Sequence, residues 1–195
     1  MTVFVFAGDS ITDAHRDRDD ITSLGDGYVS LLAYELDGHV INVGISGNRA
    51  VDLRGRWGAD VLAHSPEVLT VYVGVNDTWR RYDRDDETTA AVFEEHLRAV
   101  LDTVPAGTRV ILMEPFLLPV DEAQHGWLGD LDGKRAVVTR LADEYGTGFV
   151  PLHRVLTDAA GDQPASLAAD GVHPTPAGAR VIADAWRATY DGAAL

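Results

Sequence analysis

The alternation of short apolar runs with segments of helical periodicity constrains the fold of this chain most strongly. The apolar runs are nearly continuous, as expected for parallel strands buried on both faces. Strands that alternate with helices are typical of right-handed βαβ units and of a parallel sheet between helical layers. The candidate strands are Val3–Ala7, Val40–Val43, Val68–Gly74, Arg109–Glu114 and Phe149–Pro151.

Four segments carry apolar residues at helical spacing. A chain of 195 residues is long enough for one well-buried core, and no linker divides it, so we expect a single domain over residues 1–195. The final helix is predicted to begin at Thr175-Pro176, because threonine caps helices and proline suits a first turn. The predicted helical segments are Val29–Leu36, Phe93–Val104, Val138–Tyr145 and the one that buries Val181, Ile182, Ala185 and Trp186.

In open parallel sheets, functional residues gather beyond the carboxyl ends of the strands. We therefore expect chemically active side chains to cluster where the predicted strands end. Two irregular stretches, His15–Gly27 and Phe116–Gly129, are expected to border the same region. They contain His15 and His125, which are either pocket residues or ordinary surface histidines.

Charge and cysteine content exclude several classes of function. The formal net charge of −15 repels nucleic acid and anionic lipid, so neither is expected as a partner, although solubility alone also explains an acidic surface. The chain has no cysteine, which excludes disulfides, thiolate nucleophiles and Cys-ligated metals. The seven histidines share no metal-ligand spacing, so we expect no metal site.

The N-terminus reads as a strand, because it lacks the basic segment and the cleavage site of a signal peptide. No apolar segment approaches the 18 residues that predict a membrane span. These features favour a cytoplasmic protein without membrane contact.

Two short motifs supply the groups of a serine nucleophile mechanism. Ser10 lies in Gly8-Asp9-Ser10, directly after the first strand, where a hydroxyl is exposed near backbone N–H groups. Asp170 and His173 lie three positions apart in a glycine-containing loop, so the carboxylate can orient the imidazole that accepts the serine proton. Taken alone, the first motif favours a turn or a helix cap, and the second is also consistent with an Asx-type turn that carries a surface histidine.

Two further motifs follow predicted strands and offer hydrogen-bond donors. Gly47 lies in Gly44-Ile45-Ser46-Gly47-Asn48, where glycine lets the backbone N–H approach a substrate closely. Asn76 lies in Gly74-Val75-Asn76-Asp77, and its amide is suited to stabilising an oxyanion. Simple turns are the alternative interpretation of both motifs.

Together and in this order, the four motifs resemble the SGNH (GDSL-type) hydrolases over nearly the whole chain. The resemblance implies a three-layer α/β/α flavodoxin-like fold whose five-stranded parallel sheet has the order 2-1-3-4-5. It implies a cofactor-independent serine esterase with Ser10, Asp170 and His173 as catalytic residues. The implied oxyanion donors are the backbone N–H groups of Ser10 and Gly47 and the side chain of Asn76.

A finer resemblance points to intracellular acetylxylan esterases and related carbohydrate deacetylases. It implies an acetylated carbohydrate or small-molecule ester as the substrate, and a homo-oligomer. Trp79 and Glu114 are candidate substrate-binding residues, although Trp79 is also suited to core packing and Glu114 to anchoring a loop. The segments that carry the resemblance are Gly8–Asp13, Gly25–Tyr28, Gly44–Arg49, Asn76–Arg80 and Glu114–Phe116.

Two other functions remain open on sequence grounds. The first is an esterase, lysophospholipase or thioesterase for long acyl chains, which needs an apolar channel; Phe116, Leu117, Leu118 and Trp127 are its candidate lining. The second is a non-catalytic carbohydrate-binding module, against which the presence of all three triad residues argues. A nucleotide-binding domain is disfavoured, because Gly8-Asp9-Ser10 matches neither a dinucleotide fingerprint nor a P-loop.

Overall fold

The computed structural model describes residues 1–192 and is built on a five-stranded sheet of order 2-1-3-4-5. All neighbouring strands pair in parallel, which confirms the predicted fold class and strand order. Several predicted strand residues, such as Gly74 and Glu114, lie just beyond the strand ends. The strands are β1 (Thr2–Gly8), β2 (Gly38–Asn42), β3 (Val68–Tyr72), β4 (Arg109–Met113) and β5 (Gly148–Val150).

Helices connect the strands, and all four predicted helical segments are present. They are α1 (Ser10–Asp13), α2 (Tyr28–Ala33), α3 (Ala50–Arg56), α4 (Val75–Arg84), α5 (Ala90–Leu101), α6 (Glu122–His125), α7 (Leu128–Tyr145), α8 (Leu152–Ala160), α9 (Pro164–Leu167) and α10 (Pro176–Gly192), with a π-helical turn (Trp57–Val61) and a 3₁₀ turn (Leu62–His64) after α3.

The sequence did not predict helices α3, α4 and α8. Helix α4 is mostly polar, and its three large apolar residues, Val75, Trp79 and Tyr82, were not recognised as a helical face although they lie at helical spacing. Asn76 therefore lies in the first turn of a helix and not in a simple turn. The stretch Phe116–Gly129 is only partly irregular, because it contains α6 and the start of α7.

Alternate strand residues face two separate helical layers, as the pleat of a strand dictates. Phe4 and Phe6 of β1 pack in one apolar cluster with residues of α2, α8 and α10. Val5 and Ala7 pack in a second cluster with residues of α3, α5 and α7. The result is the three-layer α/β/α arrangement that the resemblance implied.

Helix α10 fixes the loop that carries Asp170 and His173. The Thr175 hydroxyl accepts a hydrogen bond from the Gly178 N–H at 3.2 Å, as predicted for an N-terminal cap. Buried Trp186 donates its indole N–H to Thr70 Oγ1 of β3 at 2.9 Å. The loop before α10 is thereby held at the carboxyl ends of the strands.

Among the helices of residues 1–192, none is both long enough and apolar enough to cross a bilayer.

Candidate active site

A cleft of about 480 Å³ opens at the carboxyl ends of the strands. This volume lies in the range of small-molecule sites. Five of the predicted site residues line it directly, although they come from four separate parts of the chain: Ser10, Gly47, Asn76, Trp79 and His173. The cleft therefore lies where the sequence predicted, and each of the four motifs contributes a residue to it.

Ser10, His173 and Asp170 form a continuous hydrogen-bonded row. Ser10 is the first residue of α1, and its Oγ lies 3.0 Å from His173 Nε2. His173 Nδ1 lies 2.6 Å from Asp170 Oδ2. The first distance permits proton transfer from Ser10 to His173, and the second permits Asp170 to orient the imidazole. The hydroxyl and the imidazole are 163 positions apart in the sequence, so only the fold brings them together.

The second oxygen of Asp170 fixes the loop that carries His173. Asp170 Oδ1 accepts hydrogen bonds from the backbone N–H groups of Val172 at 3.0 Å and His173 at 2.7 Å. Gly171 adopts φ +82°, and a Cβ there would lie 2.8 Å from the Leu118 carbonyl oxygen, so glycine is required. Burial alone would raise the pKa of Asp170, but its hydrogen bonds from His173 and Val172 outweigh burial and hold that pKa below its usual value. The carboxylate is therefore ionised at neutral pH and can accept the His173 Nδ1 proton.

Arg80 fixes the orientation of the Asn76 amide. Arg80 Nη2 donates to Asn76 Oδ1 at 3.0 Å, and Asn76 Nδ2 donates to the Asn48 carbonyl oxygen at 3.2 Å. Because a guanidinium can only donate, the amide oxygen faces Arg80 and the nitrogen faces Asn48. The amide nitrogen has two hydrogens, so one remains for a group bound in the cleft.

Asp13 holds the loop that contains Gly47. Its Oδ2 accepts hydrogen bonds from the Ser46 N–H at 2.8 Å and the Ser46 hydroxyl at 2.7 Å, and it also pairs with Arg18. Gly47 has φ +83°, a conformation that side chains rarely adopt, although a Cβ there would meet nothing within 4 Å. Glycine is therefore required at this position by the backbone conformation and not by lack of space.

Two buried carboxyl groups lie behind the cleft. Asp9 caps α1 by accepting from the Ile11 N–H at 3.0 Å, and Asp77 accepts from the Ala50 N–H at 3.1 Å. Burial raises the pKa of Asp9 to about 7, assisted by the charge of Asp77, and burial also raises the pKa of Asp77 to about 7. Both groups therefore accept hydrogen bonds from backbone N–H groups in the first turn of a helix, Asp9 at α1 and Asp77 at α3.

Comparison with known proteins assigns the family. The GDSL-like lipase/acylhydrolase family matches residues 6–181. An acetylxylan esterase from Geobacillus stearothermophilus is 36% identical to this chain over 93% of its length and 90% of that enzyme. This chain belongs to the GDSL-like lipase/acylhydrolase family. It is a carboxylic ester hydrolase.

Crystal structures of related proteins have the same fold as this GDSL hydrolase. A candidate GDSL-like lipase from Parabacteroides merdae superposes with a TM-score of 0.91 at 33% identity, covering 96% of this chain and 94% of that chain. The Geobacillus acetylxylan esterase superposes with a TM-score of 0.88 at 35% identity, covering 96% and 93%. A serine-to-alanine and a histidine-to-alanine variant of that esterase are catalytic mutants.

Trp79 lines the cleft of this GDSL hydrolase and belongs to an aromatic row at its edge. The Trp79 ring centroid lies 6.0 Å from that of His173 and 5.8 Å from that of Trp127. Tyr82 stacks on the far side of Trp127 at 5.2 Å. The placement of Trp79 in the cleft agrees with its candidate role as a substrate-binding residue.

Glu114 lies outside the cleft of the GDSL hydrolase, contrary to its candidate role in binding substrate. Its Oε2 accepts a hydrogen bond from the His153 N–H at 3.0 Å, and its Oε1 lies 3.8 Å from Arg135 Nε. The reason is its place in the sheet: Glu114 follows β4, whereas three of the four motifs follow β1, β2 and β3 and the fourth lies in the loop before α10. Glu114 therefore anchors the start of α8.

Sequence reasoning missed several residues of the cleft. Arg80 is not among the predicted site residues, but its partner Asn76 is four residues earlier on α4, and this spacing is the signal that identifies such a pair on a helix. His15 lines the cleft, together with Asp26, whereas His125 does not.

Within residues 1–192 of the GDSL hydrolase, no group of three or more His, Asp or Glu side chains is arranged to hold a metal ion.

Proposed function

We propose that this chain is a serine esterase that removes acetyl groups from carbohydrates, with Ser10 as nucleophile, His173 as general base and Asp170 as the residue that orients His173. The observation that carries the proposal is the hydrogen-bonded row, in which Ser10 Oγ lies 3.0 Å from His173 Nε2 and His173 Nδ1 lies 2.6 Å from Asp170 Oδ2. The catalytic serine and histidine of the Geobacillus esterase support it.

Acylation begins when Ser10 Oγ attacks the ester carbonyl carbon. His173 Nε2 takes the hydroxyl proton while Asp170 stabilises the resulting imidazolium. The tetrahedral intermediate collapses when His173 returns the proton to the alcohol oxygen, and the alcohol leaves. Water then attacks the acyl-enzyme with His173 again as base, which releases the acid and restores Ser10.

The oxyanion of each tetrahedral intermediate is held by three donors. They are the backbone N–H groups of Ser10 and Gly47 and the free N–H of Asn76. Hydrogen bonds to developing charge in such a cleft lower the barrier of the chemical step more than they strengthen substrate binding. Arg80 and Asp13 support this arrangement by fixing the Asn76 amide and the Gly47 loop.

Asn76→Ala is expected to reduce kcat by about 10²–10³-fold, because one oxyanion donor is lost while the row of Ser10, His173 and Asp170 stays intact. KM should change little. The measurement is steady-state hydrolysis of p-nitrophenyl acetate. Asn76→Asp is a matched variant of nearly the same shape, and its negative charge should reduce kcat at least as much. Full activity in Asn76→Asp would contradict the oxyanion role.

The cleft favours short acyl groups over long ones. Phe116, Leu117, Leu118 and Trp127 were the candidate lining of a channel for a long acyl chain, but the first three are buried in the core and none of the four lines the cleft. Trp79 offers an aromatic face of the kind that packs on sugar rings. The negative net charge also suits a neutral acetylated sugar better than an anionic lipid.

A hydrolysis panel tests the proposal. Wild-type protein is assayed with p-nitrophenyl acetate, butyrate and octanoate and with acetylated xylo-oligosaccharides, with Ser10→Ala as the control. We expect kcat/KM to fall at least tenfold from acetate to octanoate, and we expect acetate release from the oligosaccharides. Preference for octanoate, with no release from the oligosaccharides, would favour the long-chain esterase. Assembly into a homo-oligomer stays a prediction.

A further inference from the structure

We propose that His15 and Asp26 form a subsite that binds neighbouring hydroxyl groups of the sugar to which the ester is attached. The inference deepens the proposed function and rests on it. Both residues line the same cleft as Ser10 and His173, yet neither belongs to the hydrogen-bonded row or to the oxyanion donors.

The two side chains form a pair at the solvent-exposed edge of the cleft. His15 Nδ1 lies 3.1 Å from Asp26 Oδ1 and 3.3 Å from Asp26 Oδ2. The side chains are 88% and 75% exposed, and so exposed a pair contributes little to stability. Fold stability therefore does not explain why these residues are held together here.

The backbone around the pair is strained. Ala14 and His15 both adopt the left-handed region, with φ of 42° and 61°, which non-glycine residues rarely enter. Residues held in this way cluster at functional sites, because the surrounding structure maintains them at a cost. The strain turns the chain directly after α1 and sets His15 at the edge of the cleft.

The two segments that carry the pair are in contact, and two glycines make the contact possible. The Asp26 N–H donates to the Ala14 carbonyl oxygen at 2.8 Å. Gly25 has φ +72°, and a Cβ there would lie 2.3 Å from that same oxygen. A Cβ on Gly27 would lie 2.6 Å from the Ala14 Cβ. Both sides of the loop are thus built to bring His15 and Asp26 together.

The pair presents two hydrogen-bond acceptors side by side. When neutral His15 donates its Nδ1 proton to Asp26, its Nε2 becomes an acceptor, and the exposed carboxylate keeps capacity to accept further bonds. Two adjacent acceptors match two adjacent hydroxyl groups, each of which donates. The carboxylate also repels anionic groups. The ligand class is therefore a neutral sugar or polyol with free neighbouring hydroxyls.

The test compares two substrates that share an acetyl group and differ in their hydroxyls. One is a xyloside with a single acetyl group and free neighbouring hydroxyls, and the other is p-nitrophenyl acetate. In His15→Ala and Asp26→Ala we expect KM for the xyloside to rise about tenfold, a change typical of losing one or two hydrogen bonds to a ligand. For p-nitrophenyl acetate, kcat and KM should stay within about twofold of wild type, which also shows that the variants fold. His39→Ala, an exposed histidine at the start of β2, is the matched control and should leave both substrates unaffected.

Each of the other outcomes rules out the subsite, the carbohydrate substrate of the proposed function, or both. An equal loss of activity on both substrates would assign the pair to the fold or to the chemical step, and unchanged KM for the xyloside would remove its role in binding. Either result leaves the proposed function standing. If wild type hydrolyses p-nitrophenyl acetate but not the xyloside, the carbohydrate substrate of the proposed function fails, and the subsite fails with it.

Discussion

Ser10→Ala is expected to reduce kcat for p-nitrophenyl acetate by about 10⁶-fold, the scale observed when the nucleophile of a serine hydrolase is removed. The corresponding rise in the activation barrier is about 8 kcal/mol. The reason is that Ser10 supplies the attacking oxygen, and no other hydroxyl among residues 1–192 lies within hydrogen-bond distance of His173 Nε2. The residual rate should come from the oxyanion donors and substrate binding alone.

The fold should survive this substitution. The cap of α1 comes from Asp9 and not from the Ser10 side chain, so the alanine removes one hydrogen bond to His173 and little else. Ser65→Ala is a suitable control, because Ser65 is exposed and precedes β3, at the opposite end of the strands from the cleft. Circular dichroism should show both variants folded. Activity of Ser10→Ala above about 1% of wild type would contradict the nucleophile assignment.

Asp170→Asn is expected to reduce kcat by about 10⁴-fold, as replacement of the corresponding carboxylate does in a trypsin-like triad. Asp170 Oδ1 accepts from two backbone N–H groups, and the amide oxygen of asparagine should keep those bonds. The amide N–H₂ would then face His173 Nδ1 in place of Oδ2. Because that group donates, it favours the tautomer with the proton on Nε2, which cannot accept the Ser10 proton.

Steady-state kinetics at neutral pH measure this effect. The expected signature is a loss in kcat with KM nearly unchanged, because Asp170 does not line the cleft. Asp143→Asn, on the exposed surface of α7, changes charge by the same amount and should keep wild-type kcat. An Asp170→Asn enzyme within about tenfold of wild type would show that orientation of His173 does not depend on the carboxylate.

The sequence predicted the parts of the fold and site that local patterns determine. The strands are apolar runs of the expected length, and their alternation with helices dictates a parallel sheet, so the residues at strand ends converge. Ser10, Gly47 and Asn76 follow β1, β2 and β3 directly, which is why their placement at one edge was predictable. Asp170 and His173 are close in sequence, so their contact is largely local.

Other features depend on long-range packing that a local pattern does not reveal. Position at a strand end does not say which part of the sheet edge forms the cleft, so Glu114 was expected at the site and lies outside it. The pair of His15 and Asp26 requires two sides of one irregular loop to meet, and only the fold shows this contact. Phe116, Leu117 and Leu118 are apolar residues in a loop that packs into the core. Whether such a loop packs into the core or lines a cleft depends on which helices cover it.

Covalent labelling tests the central claim most directly, namely that Ser10 is a nucleophile activated by His173. The protein is treated with a fluorophosphonate, digested and mapped by mass spectrometry. We predict one modified peptide, with the label on Ser10, and slow labelling or none in His173→Ala. A label on another residue, or equally fast labelling of Ser10→Ala and wild type, would contradict the assignment.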